Sequence, residues 1–193
     1  MRLTAYIVLT IGLLTPINTA SANESSLYVP IDASACNIPV DGMHARYSDH
    51  DLSVIECPAN INLHALPLRL FIVSTEERSW IDLMLGNTLW SSEDEVVYEK
   101  DNQFGHFPNI GKTPVEIRTR NHNAIGVIFR VKALAFENDA QKPHESRVSR
   151  LFVLGFRKSG LCFLGLTHEN STARHLLDSR TECIRMLKAE SLQ

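Results

Sequence analysis

The sequence is short of several things that would name a function. It holds no internal run of about 20 apolar residues, the length a bilayer-spanning helix needs. The longest apolar stretch beyond the N-terminus, Ala124 to Phe136, is interrupted by Arg130 and Lys132. The nucleophile and metalloprotease patterns G-x-S-x-G, S-x-x-K and H-E-x-x-H are absent. Nine glycines are scattered without the G-x-G-x-x-G spacing that cradles a dinucleotide, so no cofactor is expected. Basic residues do not outnumber acidic ones: 19 Lys and Arg stand against 22 Asp and Glu, a net charge of -3. A nucleic-acid partner would favour the opposite balance. No two cysteines lie close enough for a C-x2-C zinc pair. There is no convincing repeat and no low-complexity segment. The chain is nevertheless 44% hydrophobic and only 21% charged, which excludes a disordered polymer.

What is present begins with an export signal. Arg2 forms a positive start, Ala5 to Leu14 is an uncharged and largely apolar run, and Pro16 ends it. Ala20-Ser21-Ala22 is a small-x-small cleavage site. Residues 1–22 are therefore expected to be a signal peptide, and 23–193 a single disulfide-stapled β-rich domain. Removing Arg2 leaves 18 basic and 22 acidic residues, a net charge of -4. A domain of this size buries roughly 70% of its unfolded surface, enough for a real core. No cysteine follows the cleavage site, so the usual lipid attachment point is missing. A periplasmic or secreted protein without membrane insertion after cleavage is the expectation.

Export changes the meaning of the four cysteines, Cys36, Cys57, Cys162 and Cys183. In an oxidising compartment an even number points to disulfides, and four allow three pairings. Cys36 to Cys57 and Cys162 to Cys183 share a separation of 21. Two local loops of that size, each worth about 3 kcal/mol, favour those pairs over the alternatives.

Most of the chain reads as strand. Leu66 to Ser74 is apolar and β-branched, and Trp80 to Leu85 ends at a Gly86-Asn87 turn. Glu95 to Tyr98 reads as a further short strand. Val115 to Thr119 alternates in polarity and forms a hairpin with Ile125 to Phe136 across Asn121-His122-Asn123. Val148 to Arg157 and Leu161 to Thr167 form another across Lys158-Ser159-Gly160. Lys100 to Lys112 and Glu137 to Glu145 carry turn chemistry and read as surface loops. One helix is expected near the C-terminus. Asn170-Ser171-Thr172 offer caps, and Ala173, Leu176, Leu177, Ile184 and Leu187 recur at helical spacing. Cys183 would then sit on or just after this helix and pin it to the strand carrying Cys162. The fold class expected is α+β, a mainly antiparallel β-sheet with a C-terminal helix in a single domain.

Gly160-Leu161-Cys162-Phe163-Leu164-Gly165 resembles a G-x-C-x-x-G strand found in uncharacterised exported alphaproteobacterial proteins, where a helix follows and ends near a final cysteine. Pro114 to Arg118 with Ala124 to Val131 resembles the hairpin that precedes that strand, and Cys36 and Cys57 fit the same outline. The resemblance covers about half of the chain. Thr167-His168 stand where the group has an acidic residue, and the helix here is poorer in alanine. The resemblance implies an exported two-disulfide domain and no particular activity.

Candidate functional residues are few. His44, His50 and Asp51, with Asp49 and His64 nearby, could ligate a metal, but their spacing places them on no common face and reads better as a solvated loop. No metal is expected. His168 and His175 flank the helix start and read as structural. Glu93-Asp94-Glu95 is a contiguous acidic run expected to point into water. Phe104, His106 and Phe107 form the best candidate binding loop, since aromatics on a loop above a sheet commonly build a recognition site. The two Asn-x-Ser/Thr sequons, at Asn23 and Asn170, matter only in a eukaryote, and the source reads as bacterial. Together these features favour a non-enzymatic domain that binds an envelope or secreted protein, as an inhibitor, an immunity-type protein or an accessory factor. The alternatives are an envelope hydrolase with a dispersed site using His50 or His106, and a small-ligand or metal-binding protein.

Overall fold

The computed structural model describes residues 23–63, 65–136 and 147–192. The expected signal peptide, the loop at 137–145 and His64 lie outside the described residues. Thirteen strands and two α-helices follow in order: β1 (Glu24–Val29), α1 (Met43–Ser48), β2 (Ser53–Cys57), β3 (Asn62–Leu63), β4 (Leu66–Ser74), β5 (Ser79–Leu85), β6 (Thr88–Ser91), β7 (His106–Asn109), β8 (Val115–Arg120), β9 (Asn123–Leu134), β10 (Arg147–Arg157), β11 (Gly160–Thr167), α2 (Asn170–Asp178), β12 (Arg185–Met186) and β13 (Ala189–Ser191). The chain is mostly antiparallel β-structure with few helices, as expected. It makes two sheets rather than one.

The first sheet runs β1-β8-β9-β10-β11-β12, with β7 also on β9; the second runs β13-β6-β5-β4-β2, with β3 also on β4. Strand polarity explains how they pack. Phe129, Phe152 and Phe163 of the first sheet share one core with Leu70, Ile81 and Leu83 of the second. Alternate residues of the same strands, Ile128, Leu151, Val153 and Leu164, meet Ala173 and Leu177 of α2 on the other face. Each long strand of the first sheet is thus apolar on both faces, one covered by a sheet and one by a helix. Leu177 packs so close to the β9 backbone that Gly126 has no room for a Cβ. The sheets are also joined by a hydrogen bond from the Ile110 N–H to Ser79 Oγ at 2.8 Å.

Both hairpins form where expected. Asn121 and His122 take φ of +49° and +65°, the paired left-handed conformation of a two-residue turn whose twist matches the strands. Both disulfides also form as Cys36–Cys57 and Cys162–Cys183, with Cα separations of 4.3 and 5.7 Å.

Four local expectations are corrected. Glu95 to Tyr98 is no strand: Asp94–Tyr98 is a π-helical turn, closed by the Glu99 N–H on Asp94 O at 2.7 Å. Consecutive residues Glu95 and Val96 are both buried there, which a half-buried strand would not allow. The helix α2 stops at Asp178, so Ile184 and Leu187 are not on it. Their N–H groups instead bond Phe163 O and Leu161 O along β11. Its N-cap is Glu169, without a side-chain cap, rather than Asn170, Ser171 or Thr172. The Cys162–Cys183 bond therefore ties the segment after the helix, not the helix itself, to β11. Beyond it the chain leaves the first sheet at β12 and joins the edge of the second as β13.

Candidate functional site

The second sheet has a polar row on the face away from the first. In register, Glu56 of β2 lies beside Phe71 of β4, Phe71 beside Asp82 of β5, and Asp82 beside Ser91 of β6. Residues two apart on a strand share a face, so Trp80 flanks Asp82 and Leu89 flanks Ser91. Helix α1 lies over this face, burying Met43 and Tyr47. Tyr47 reaches Phe71, with ring centroids 6.4 Å apart. Its hydroxyl donates to Asp82 Oδ2 at 2.6 Å.

Between α1, β5, β6 and the C-terminal strand is a cleft of about 420 Å³, within the size range of small-molecule sites. Its inner end is formed by the buried residues Tyr47, Trp80, Asp82 and Leu89. Its mouth carries the exposed Arg46, His50, Asp94, Lys188 and Glu190. Glu93 and Ser91 stand between them. A second cavity of about 410 Å³ shares Ser91, Asp94 and Lys188 with the first. The two cavities therefore adjoin at these residues, forming a two-part groove beside the chain that links β12 and β13.

The inner end is electrostatically unbalanced. Asp82 is 3% exposed, no cation is bonded to it among the described residues, and the Tyr47 hydroxyl is the donor on its Oδ2. Its Oδ1 and the indole N–H of Trp80 are buried without a hydrogen bond among the described residues. Such orphaned groups are uncommon and each costs stability unless something else satisfies it. Burial pushes the Asp82 carboxyl up to about 6, Glu93 adds to this, and Ser91, Tyr47 and Trp80 draw it back. Burial likewise raises Glu93, with Asp94 contributing in the same direction. Tyr47 is raised, first by burial and then by the Asp82 charge, so its proton stays on the phenol. Of the mouth cations, Arg46 is bonded to Glu190. A site with two such acids, Asp94 beside them and a carboxyl oxygen without a hydrogen bond at its base can hold an ammonium or guanidinium group.

The residues expected to be functional are distributed differently. His50 lines this cleft, whereas His44 and Asp51 are exposed and are not gathered with it. Among the described residues no three His, Cys, Asp or Glu side chains come together as a metal site requires. Phe104 is half-buried and packs on the core, with Phe152 6.4 Å away. His106 and Phe107 are exposed and belong to β7, so part of the expected loop is a strand paired with β9. These three line a separate, smaller cavity of about 180 Å³ with Phe136. His168 and His175 are exposed. Glu93-Asp94-Glu95 does not project into water as a unit. Glu95 is 5% exposed and accepts from Arg185 Nε at 3.0 Å and Asn102 Nδ2 at 2.7 Å, while Glu93 faces the cleft. Sequence reasoning missed Tyr47, Trp80 and Asp82. Their signal was a lone acid inside the apolar strand Trp80 to Leu85, a position that must be buried and is costly without a partner.

No family model, curated protein or solved structure matches the chain. Two disulfides point to an oxidising extracytoplasmic environment. No helix among the described residues is long and apolar enough to cross a membrane.

Proposed function

We propose that the chain is an exported, non-enzymatic binding domain whose Tyr47–Asp82 cleft holds a cationic group of its ligand. In this reading residues 1–22 direct export and are removed after Ala22. The remainder works as one domain in the periplasm or outside the cell, as the resemblance to exported alphaproteobacterial two-disulfide proteins implies. The single observation that carries the reading is the buried Asp82 carboxyl, which belongs to the inner lining of an open cleft and has one oxygen without a hydrogen bond among the described residues. A cation placed there would satisfy that acceptor and favour the ionised form that burial disfavours. The cation can be carried by a small molecule or by a lysine or arginine side chain of an envelope or secreted protein.

A hydrolase would need a nucleophile held by its base, and the turnover arm of the test below separates that reading from binding. Isothermal titration of the mature protein with butylamine, butylguanidine and neutral butanol tests the reading. Binding of the two cations, absence of butanol binding, and a loss of at least tenfold in D82N are expected. Equal binding of butanol, or no binding of either cation, would overturn it, as would ester or peptide hydrolysis that D82N abolishes.

A further inference from the structure

We infer that the groove is built for a ligand with a cation at one end and a carboxylate at the other, the chemistry of a basic α-amino acid or of a basic residue at a peptide C-terminus. The inference rests on the cation reading above and adds a second recognition point, Lys188. Lys188 lines both parts of the groove. It has no ion-pair partner among the described residues, whereas Arg46 is bonded to Glu190 and Arg185 to Glu95. It is thus the cation of the groove wall left for a ligand anion.

Its position relative to Asp82 follows from the sheet. Ala189 pairs with Trp90, and Ser91 pairs with Asp82. Lys188 immediately precedes β13, so continuing that register sets it beside Ser91 and two strands from Asp82. Adjacent strands are about 4.8 Å apart, which puts the two backbones about 10 Å from one another. Lys188 and Glu190 share strand parity, and both line the cleft. An acceptor for a cation and a donor for an anion therefore stand on one face. Their separation can be bridged by the side chain of an arginine or lysine molecule. Opposite charges at the two ends also fix the direction in which a ligand enters, which a purely acidic cleft would not.

The test is calorimetric titration of the mature, disulfide-bonded protein with arginine, agmatine (arginine without its carboxylate) and the tripeptide Gly-Gly-Arg. Arginine or Gly-Gly-Arg should bind at least tenfold more tightly than agmatine. K188M should reduce that difference to less than threefold while its thermal unfolding remains that of the parent. Free arginine exceeding the tripeptide assigns a free amino acid; the reverse assigns a peptide C-terminus, and both support the inference. If agmatine binds as well as arginine and K188M changes nothing, the carboxylate site is wrong and the cation site stands. If none of the three binds, the cation reading fails with it.

Discussion

The Tyr47 hydroxyl donates to the buried carboxyl of Asp82 at 2.6 Å, linking a short helix to the middle of the second sheet. Both groups are nearly inaccessible, with Tyr47 at 5% and Asp82 at 3% exposure. Removing the donor deprives the buried acid of its hydrogen bond from α1. Tyr47→Phe should therefore cost about 1–3 kcal/mol in urea unfolding. The cost should be larger at pH 8 than at pH 5, because the ionised carboxylate is the stronger acceptor.

The pH dependence of stability has a definite sign. Asp82 is raised from 3.8 to about 6 in the folded protein. Between those values the folded state holds more protons than the unfolded state. Stability from this group is therefore greatest below pH 3.8 and falls as pH rises through 6. The full difference is about 3 kcal/mol. Asp82→Asn, which keeps an acceptor for Tyr47, should lose this fall. Urea midpoints at pH 4, 5, 6 and 7 for parent and variant check it: the difference between them should change by most of that amount.

Glu95 anchors the crossing from the first sheet to the second. It takes two hydrogen bonds from Arg185, at 3.0 and 2.9 Å, and Asn102 Nδ2 bonds both its carboxylate and its backbone oxygen. Arg185 is about one-third exposed, so solvent screens part of the pair. Arg185→Ala should still cost about 2–3 kcal/mol, because it strands a buried acid. The double change of Arg185 and Glu95 to leucine should recover most of that loss in chemical denaturation.

Phe104 and Phe107, three residues apart, should respond in opposite directions. Phe104→Ala removes packing against Phe152 and should cost about 2–3 kcal/mol. Phe107 is 44% exposed and holds a left-handed φ of +54°, a conformation that costs an L-residue about 1–2 kcal/mol. Phe107→Gly should relieve it and leave the protein at least as stable. Thermal unfolding of the two variants distinguishes a recognition loop from a packing strand.

The elements legible in the sequence were those with local causes. Apolar strands such as Leu66–Ser74 announce themselves by β-branched content, and Asn121-His122 by its turn chemistry. The cysteine pairs were legible because each joins segments near in sequence. The failures had tertiary causes. The helical spacing continued past Asp178 to Ile184 and Leu187, yet hydrogen bonds to β11 claimed both residues for the sheet. Glu93-Asp94-Glu95 read as one solvated run because nothing local revealed Arg185, 90 residues from Glu95. The cleft was illegible for the same reason: Tyr47, Asp82 and Lys188 come from three distant segments, joined only by the register of the second sheet and the fold of α1 over it. Asp82 alone left a trace, as an acid in an apolar strand.

Reduction should reveal how much the fold owes to its staples. Each bond closes a loop with a sequence separation of 21, worth about 3 kcal/mol in the chain-entropy model. The double variant Cys162→Ser/Cys183→Ser should lose about that amount in denaturant titration. Its largest increase in amide exchange should fall in residues 179–188, between α2 and β13.

The most direct measurement is the carboxyl carbon shift of Asp82, followed by NMR against pH in protein labelled at aspartate, with Asp82→Asn for assignment. In the free protein the midpoint should lie near 6. With saturating agmatine it should fall below about 5, because a bound cation favours the carboxylate. A free midpoint in the ordinary range near 3.8, or one that bound agmatine leaves unmoved, would contradict the assignment of Asp82 as the group that holds the ligand.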